Sequence, residues 1–110
     1  MKRFIVLAVG AAVSFNVFAA EVFSVPTDSK ASYTVLDKTR SGDMATITTK
    51  REGSSGVSYS KRLYDCKAST VKYLGSGDTI EQMNNSSADP NMAPIVDRSI
   101  AYYVGRKACR

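Results

Sequence analysis

Short apolar segments separated by turn residues fill most of the chain. Residues 32–37 and 44–50 are rich in β-branched and aromatic side chains, a composition typical of strands. A shorter apolar segment, residues 22–25, precedes them, and a Ser-Gly-Asp turn at residues 41–43 separates the two longer segments. This pattern predicts three strands, of which the second and third form an antiparallel hairpin.

The next segment, residues 57–66, follows a flexible connection at residues 51–56 and ends in Tyr64-Asp65-Cys66. Residues 70–74 are expected to pair with it as a hairpin. Gly75 to Asp78 are expected to form another turn, and residues 79–83 one more strand. The closely spaced turns therefore predict an antiparallel sheet of about five or six strands rather than parallel βαβ units.

The period of the pattern changes after a polar loop at residues 84–94. Apolar residues then recur at the spacing of one helix face: Val96, Ile100, Tyr103, Val104 and Ala108. Asp97 or Ser99 is expected to cap this helix, and Gly105, which costs about 1 kcal/mol relative to alanine, to fray its last turn. The prediction is an α+β domain with a C-terminal helix packed on one sheet face.

The first nineteen residues have the pattern of a signal peptide. Met1-Lys2-Arg3 is basic, residues 4–13 are apolar apart from one glycine, and Val17 and Ala19 are small residues at the −3 and −1 positions. The apolar run is shorter than the roughly 20 residues that a membrane span needs. We therefore expect a signal peptide at 1–19, a single domain at 20–110, export, and no stable membrane span after cleavage.

The charge of the mature chain is modest. Without Lys2 and Arg3, thirteen of the fifteen basic residues remain against ten acids, a net charge of +3. This balance does not predict a nucleic-acid partner. Basic residues gather near the end: Arg98, Arg106, Lys107 and Arg110. They are interpreted as a solvated helix face, with an anion site as the alternative.

Cys66 and Cys109 are the only cysteines of the chain. In an exported protein they are expected to form a disulfide with each other. The bond closes a loop of about 44 residues, worth up to ~4 kcal/mol in the chain-entropy model. The chain has no histidine, so neither a metal site nor a cofactor is expected.

Catalytic patterns are weak throughout the sequence. Ser58 and Lys61 have the S-x-x-K spacing of some acyl-transfer enzymes, but in a strand the two side chains point to opposite faces. The glycines at 53, 56, 75 and 77 are assigned to turns. We therefore expect a protein that is not an enzyme. Its six tyrosines either pack half-buried on the sheet or contribute to a binding surface.

A series of short motifs extends over most of the mature chain. They are Tyr33-x-Val35-Leu36-Asp37, Ser41-Gly42-Asp43, residues 60–66, Lys72-Tyr73-Leu74, Ala93-Pro94-Ile95, and Ser99-Ile100-Ala101 leading to Cys109. Together they resemble the surface-adhesin protein E family of Gram-negative bacteria. The resemblance implies a disulfide-linked sheet and helix, a periplasmic, surface or secreted location, and binding of host extracellular proteins such as those of the matrix. It marks no binding residue.

A second resemblance concerns the connection before the segment at residues 57–66. Ser55-Gly56-Val57-Ser58-Tyr59 fits S-G-x-x-Y, which is similar to the loop that periplasmic lysozyme inhibitors insert into an enzyme cleft. That resemblance implies Ser55 and Tyr59 as contact residues of a binding loop. The two functional hypotheses, an adhesin-like binding module and a lysozyme inhibitor, both require an exported protein that binds another protein.

Overall fold

The computed structural model describes residues 20–110, so the predicted signal peptide lies outside the described residues. The described chain forms a six-stranded antiparallel sheet with its strands in sequence order, a C-terminal helix and one disulfide. The predicted fold class is confirmed. The strands are β1 (Glu21–Phe23), β2 (Ser32–Ser41), β3 (Met44–Gly53), β4 (Gly56–Asp65), β5 (Thr70–Gly77) and β6 (Ala93–Pro94). The helices are α1 (Ile80–Asn85) and α2 (Ile100–Ala108), and Pro26–Asp28 forms a 3₁₀ turn.

The predicted strand at residues 79–83 is wrong, because this segment forms α1. The hydroxyl of Thr79 accepts the N–H of Gln82 at 3.1 Å, and the Gln82 side chain accepts the N–H of Asp78 at 2.8 Å. This reciprocal arrangement satisfies N–H groups that a helix start leaves without partners. The local capping chemistry therefore overrides the strand-like composition of the segment.

The predicted turn at Gly75 to Asp78 is also wrong, because β5 continues to Gly77. A Cβ atom on Gly75 would collide with the carbonyl oxygen of Met83, and one on Gly77 would lie 2.6 Å from Cβ of Gln82. Both glycines therefore allow α1 to lie directly on the strand. Gly75 pairs with Lys61 and Gly77 pairs with Tyr59. Residues 59 and 61 point to the face opposite Tyr64, which α2 covers, so α1 lies on the other face of the sheet.

The main core lies between the sheet and α2. It contains the fully buried side chains of Val25, Tyr33, Val35, Ile47, Tyr64 and Val104. Ser99 caps α2 by accepting the N–H of Tyr102 at 3.1 Å, which confirms one of the two predicted caps. Val96 was expected on the apolar stripe, but it precedes the helix and is 70% exposed.

Gly105 does not loosen the end of α2 as the sequence predicted. The residue is buried, and the helix continues through Ala108. A Cβ atom at this position would lie 2.6 Å from Cε2 of Tyr64, which is closer than side-chain atoms pack. The absence of a side chain therefore allows α2 to approach the Tyr64 ring.

The predicted disulfide between Cys66 and Cys109 is present, with the two Cα atoms 5.7 Å apart. Cys66 follows β4 and Cys109 follows α2. The bond therefore fixes the end of the helix to the end of the strand on which the helix packs.

Candidate functional site

The sheet has two chemically different ends. One end carries the turn between β3 and β4, and the other carries the disulfide and the C-terminal end of α2. The strands β3 and β4 pair without interruption from Met44 opposite Asp65 to Gly53 opposite Gly56. Ten paired residues at about 3.4 Å each place the two ends roughly 30 Å apart.

The turn between β3 and β4 is the most exposed part of the long hairpin. Ser54 and Ser55 form a two-residue turn, and both are exposed. Gly56 follows with φ of +115°, a conformation that residues with a side chain rarely adopt. The turn therefore presents two small hydroxyl side chains beyond the end of the sheet.

The structure separates the two residues predicted to form a binding loop. Ser55 lies in the exposed turn, whereas Tyr59 lies within β4, opposite Lys50 on one side and Gly77 on the other. Tyr59 is half-buried. Four residues of strand place them roughly 13 Å apart along the chain, so they belong to one hairpin but not to one loop.

An ion pair near the turn holds the hairpin against the rest of the domain. Arg51 of β3 donates two hydrogen bonds to the carboxylate of Asp28, at 2.7 and 3.0 Å. Tyr33 of β2, which pairs with Arg51, donates its hydroxyl to the same carboxylate at 2.6 Å. We call these three residues the Asp28 cluster.

The Asp28 cluster shifts the ionisation of its members. Hydrogen bonds from Arg51 and then Tyr33 lower the pKa of Asp28 from 3.8 to about 2. Burial, followed by the hydrogen bond to Asp28, raises the pKa of Tyr33 to about 12. The carboxylate therefore stays ionised at neutral pH, and the ion pair fixes Arg51 three residues before Ser54, where the turn begins.

Arg62 is a buried charged residue that the sequence analysis did not single out. It is 4% exposed, lies on the α2 side of the sheet, and donates to the hydroxyl of Tyr73 at 2.9 Å. Its guanidinium carbon also lies 4.8 Å from the centre of the Tyr73 ring. Arg62 is two residues from Tyr64 in β4, so both side chains lie on the sheet face that α2 covers.

The contact with Arg62 positions an exposed aromatic ring. Tyr73 of β5 is 41% exposed, and its hydroxyl accepts a hydrogen bond from the buried guanidinium of Arg62. The backbone of Tyr73 is also fixed, because its N–H donates to the carboxylate of Asp89 at 3.2 Å and its carbonyl accepts the N–H of Asp89 at 2.9 Å. Such a ring loses little conformational freedom when another protein packs on it.

The six tyrosines divide between core and surface. Tyr33 and Tyr64 are buried, Tyr59, Tyr102 and Tyr103 are half-buried, and Tyr73 is exposed. The Tyr64 hydroxyl donates to the carbonyl of Ala101 at 2.6 Å, and burial raises the pKa of this tyrosine. Most of the tyrosines therefore pack within the domain, and Tyr73 is the exposed one.

Clefts lie on two sides of α2. The larger has a volume of about 320 Å³ and lies between the disulfide, the segment at residues 95–97 and one side of α2. The smaller, about 170 Å³, lies between the end of β1 and the other side of α2. Arg106 lies at the rim of both.

Comparisons with protein families, with curated proteins and with solved structures returned no match. Across residues 20–110, no helix has the length and apolar character required to cross a membrane. In the same residues, cysteine and carboxylate side chains do not assemble into a group of three that could hold a metal ion. The function is therefore argued from the geometry of the domain itself.

Proposed function

We propose that the protein is an exported binding module of the surface-adhesin protein E type, without catalytic activity, that contacts a protein ligand through the β3–β4 turn. The observation that carries the proposal is the exposed turn at Ser54 and Ser55 on a hairpin that the Asp28 cluster holds in place. Exposed turns on a rigid frame are common recognition elements, because the frame limits the entropy lost on binding.

Two further observations support the proposal. Val57, two residues after Ser55, is 39% exposed and lies beside the turn. Apolar and tyrosine side chains are frequent at the centre of protein interfaces. The disulfide fits export, because such bonds persist in oxidising compartments.

The experiment measures binding of the purified domain, residues 20–110 with the disulfide formed, to extracellular-matrix proteins by surface plasmon resonance. The test variant is Ser54→Glu with Ser55→Glu, which places two carboxylates on the turn. The matched control is Ser41→Glu, because Ser41 is also an exposed serine next to a tight turn, at the other end of the sheet.

We expect the turn variant to weaken binding about tenfold or more, which corresponds to ~1.4 kcal/mol, and the control to bind as the wild type does. Both variants change exposed residues, so circular dichroism should show an unchanged fold. Equal binding by wild type and turn variant would overturn the assignment of the contact surface. Absence of binding to every matrix protein would overturn the adhesin proposal.

A lysozyme inhibitor is the second candidate function, and the exposure of Ser55 at the tip of a hairpin favours it. Lysozyme is therefore included in the binding panel, together with an assay of its hydrolytic activity. Inhibition that is abolished by Ser55→Ala or by Tyr59→Ala would support this candidate. Matrix binding that persists in Tyr59→Ala, without lysozyme inhibition by the wild type, would support the adhesin candidate.

A further inference from the structure

The smaller cleft, between the end of β1 and α2, is lined mainly by cations and aromatic rings. It has a volume of about 170 Å³, and three of its six lining residues are cations: Phe23, Ser24, Tyr103, Arg106, Lys107 and Arg110. It lies beside β1, at the edge of the sheet, and shares no residue with the β3–β4 turn. Its function is therefore separable from that of the turn.

The charged side chains around this cleft are mainly cationic. Glu21 forms ion pairs with Lys107 and, at 3.7 Å, with Arg110. The hydrogen bond from Lys107 lowers the pKa of Glu21, so this acid is ionised at neutral pH. No carboxylate in residues 20–110 lies within ion-pair distance of Arg106. The cationic side chains that line the cleft therefore outnumber the one acid beside it, which favours an anionic ligand.

The C-terminal end of α2 would normally oppose an anion, since free carbonyl groups make this end of a helix negative. Two cations of β2 offset that effect. Lys38 donates to the carbonyl of Lys107 at 2.9 Å, and Arg40 donates to the carbonyl of Cys109 at 2.9 Å. The carbonyl groups of Lys107 and Cys109 therefore accept hydrogen bonds from cationic side chains, which offset the negative end of the helix beside the cleft.

Aromatic rings give the cleft an apolar wall. Phe23 and Tyr103 are half-buried, and both line the space. The ammonium of Lys107 lies 5.2 Å from the centre of the Phe23 ring, which holds this cation against the wall. A small inorganic ion would use the cations alone, whereas a ligand with an apolar part would also cover the rings.

We propose that this cleft binds a phosphate group carried on an apolar group. Guanidinium groups such as those of Arg106 and Arg110 present paired N–H donors that match phosphate oxygens. The excess of cationic side chains favours the negative charge of a phosphomonoester, and Phe23 with Tyr103 contacts the apolar part. The source is either a small phosphomonoester or a lipid with a phosphomonoester headgroup.

The test uses the disulfide-bonded domain, residues 20–110, and phenyl phosphate as the small probe, with amide chemical shifts as the readout. Vesicles of phosphatidylcholine with and without phosphatidic acid test the lipid source by co-sedimentation. The variant is Arg106→Gln with Arg110→Gln, both exposed residues. The matched control is Arg98→Gln, an exposed arginine before α2 that does not line the cleft.

We expect phenyl phosphate to shift the amides of residues 23–24 and 103–110, to bind more tightly than inorganic phosphate, and to lose about tenfold in affinity in the double variant. The Arg98 control should bind as the wild type does. Binding to phosphatidic acid vesicles with the same dependence on the arginines would assign the lipid source. The proposal is overturned if neither probe binds, or if the control loses as much affinity as the double variant.

Discussion

Helix propensity and the folded structure predict opposite effects on stability when Gly105 is replaced by alanine. Glycine within a helix costs about 1 kcal/mol relative to alanine, so propensity alone predicts that Gly105→Ala stabilises the protein by that amount. The structure predicts the opposite sign. The added Cβ would lie 2.6 Å from Cε2 of Tyr64 and 3.1 Å from Cδ2 of the same ring.

The Tyr64 ring cannot move away at low cost. It is fully buried, and its hydroxyl donates to the carbonyl of Ala101 at 2.6 Å. Overpacking of a core costs about 1–3 kcal/mol, and loss of the hydrogen bond adds about 1 kcal/mol. Set against a propensity gain of about 1 kcal/mol, the free energy of unfolding should fall by roughly 1–3 kcal/mol.

Urea denaturation of wild type and Gly105→Ala, both with the disulfide intact, measures this difference. A second pair of proteins carries Tyr64→Leu, which removes the ring that the Cβ would meet. In that background Gly105→Ala should destabilise less, or should stabilise by about 1 kcal/mol. A stabilising effect of Gly105→Ala in the wild-type background would refute the argument that close contact requires this glycine.

Two further predictions concern the connections that hold the domain together. Replacing Cys66 and Cys109 together by serine should reduce the free energy of unfolding by about 2–4 kcal/mol, because the loop of 44 residues is no longer closed in the unfolded chain. Urea denaturation measures this difference, and an unchanged midpoint would contradict the prediction. The lowered pKa of Asp28, about 2 against 3.8, means that the unfolded chain binds more protons between these pH values, so this contribution to stability is complete above about pH 4 and is lost as the pH falls towards 2. Asp28→Asn should flatten the pH dependence of stability in that window, and an identical pH dependence would contradict the assignment.

Composition and spacing were sufficient to locate β1 to β5 and α2, and the cysteine count was sufficient for the disulfide. The short strand β6 lies within residues 84–94, which were expected to form a loop. The start of α2 was also readable from the sequence, since Ser99 is a common capping residue. These features depend on residues close together in the chain, or on the only pair of cysteines that it contains.

The helix α1 was missed although a signal for it was present. Thr79 and Gln82 have the T-x-x-Q spacing of a capping box, but the strand-like composition of the segment was given more weight. The roles of Gly75, Gly77 and Gly105 were not readable in this way. Each depends on an atom of a distant or neighbouring element that only the folded structure brings close.

Some residues of the candidate sites were identified from the sequence, and others depend on the folded structure. Ser55 was identified from its motif, and its exposure agrees with a contact role, whereas the half-buried position of Tyr59 depends on pairing across three strands. The ring of Tyr73 over Arg62 and the cationic cleft beside Phe23 join residues that are distant in the sequence. Such sites become visible only when the register of the strands is known.

Hydrogen–deuterium exchange of the domain, with and without the matrix protein that it binds, tests the proposed contact surface most directly. Exchange reports which backbone amides a partner covers, without any substitution. The account predicts slower exchange at residues 53–59, with α2 unchanged. Protection confined to α2 and residues 95–98, with unchanged exchange in the β3–β4 turn, would contradict it.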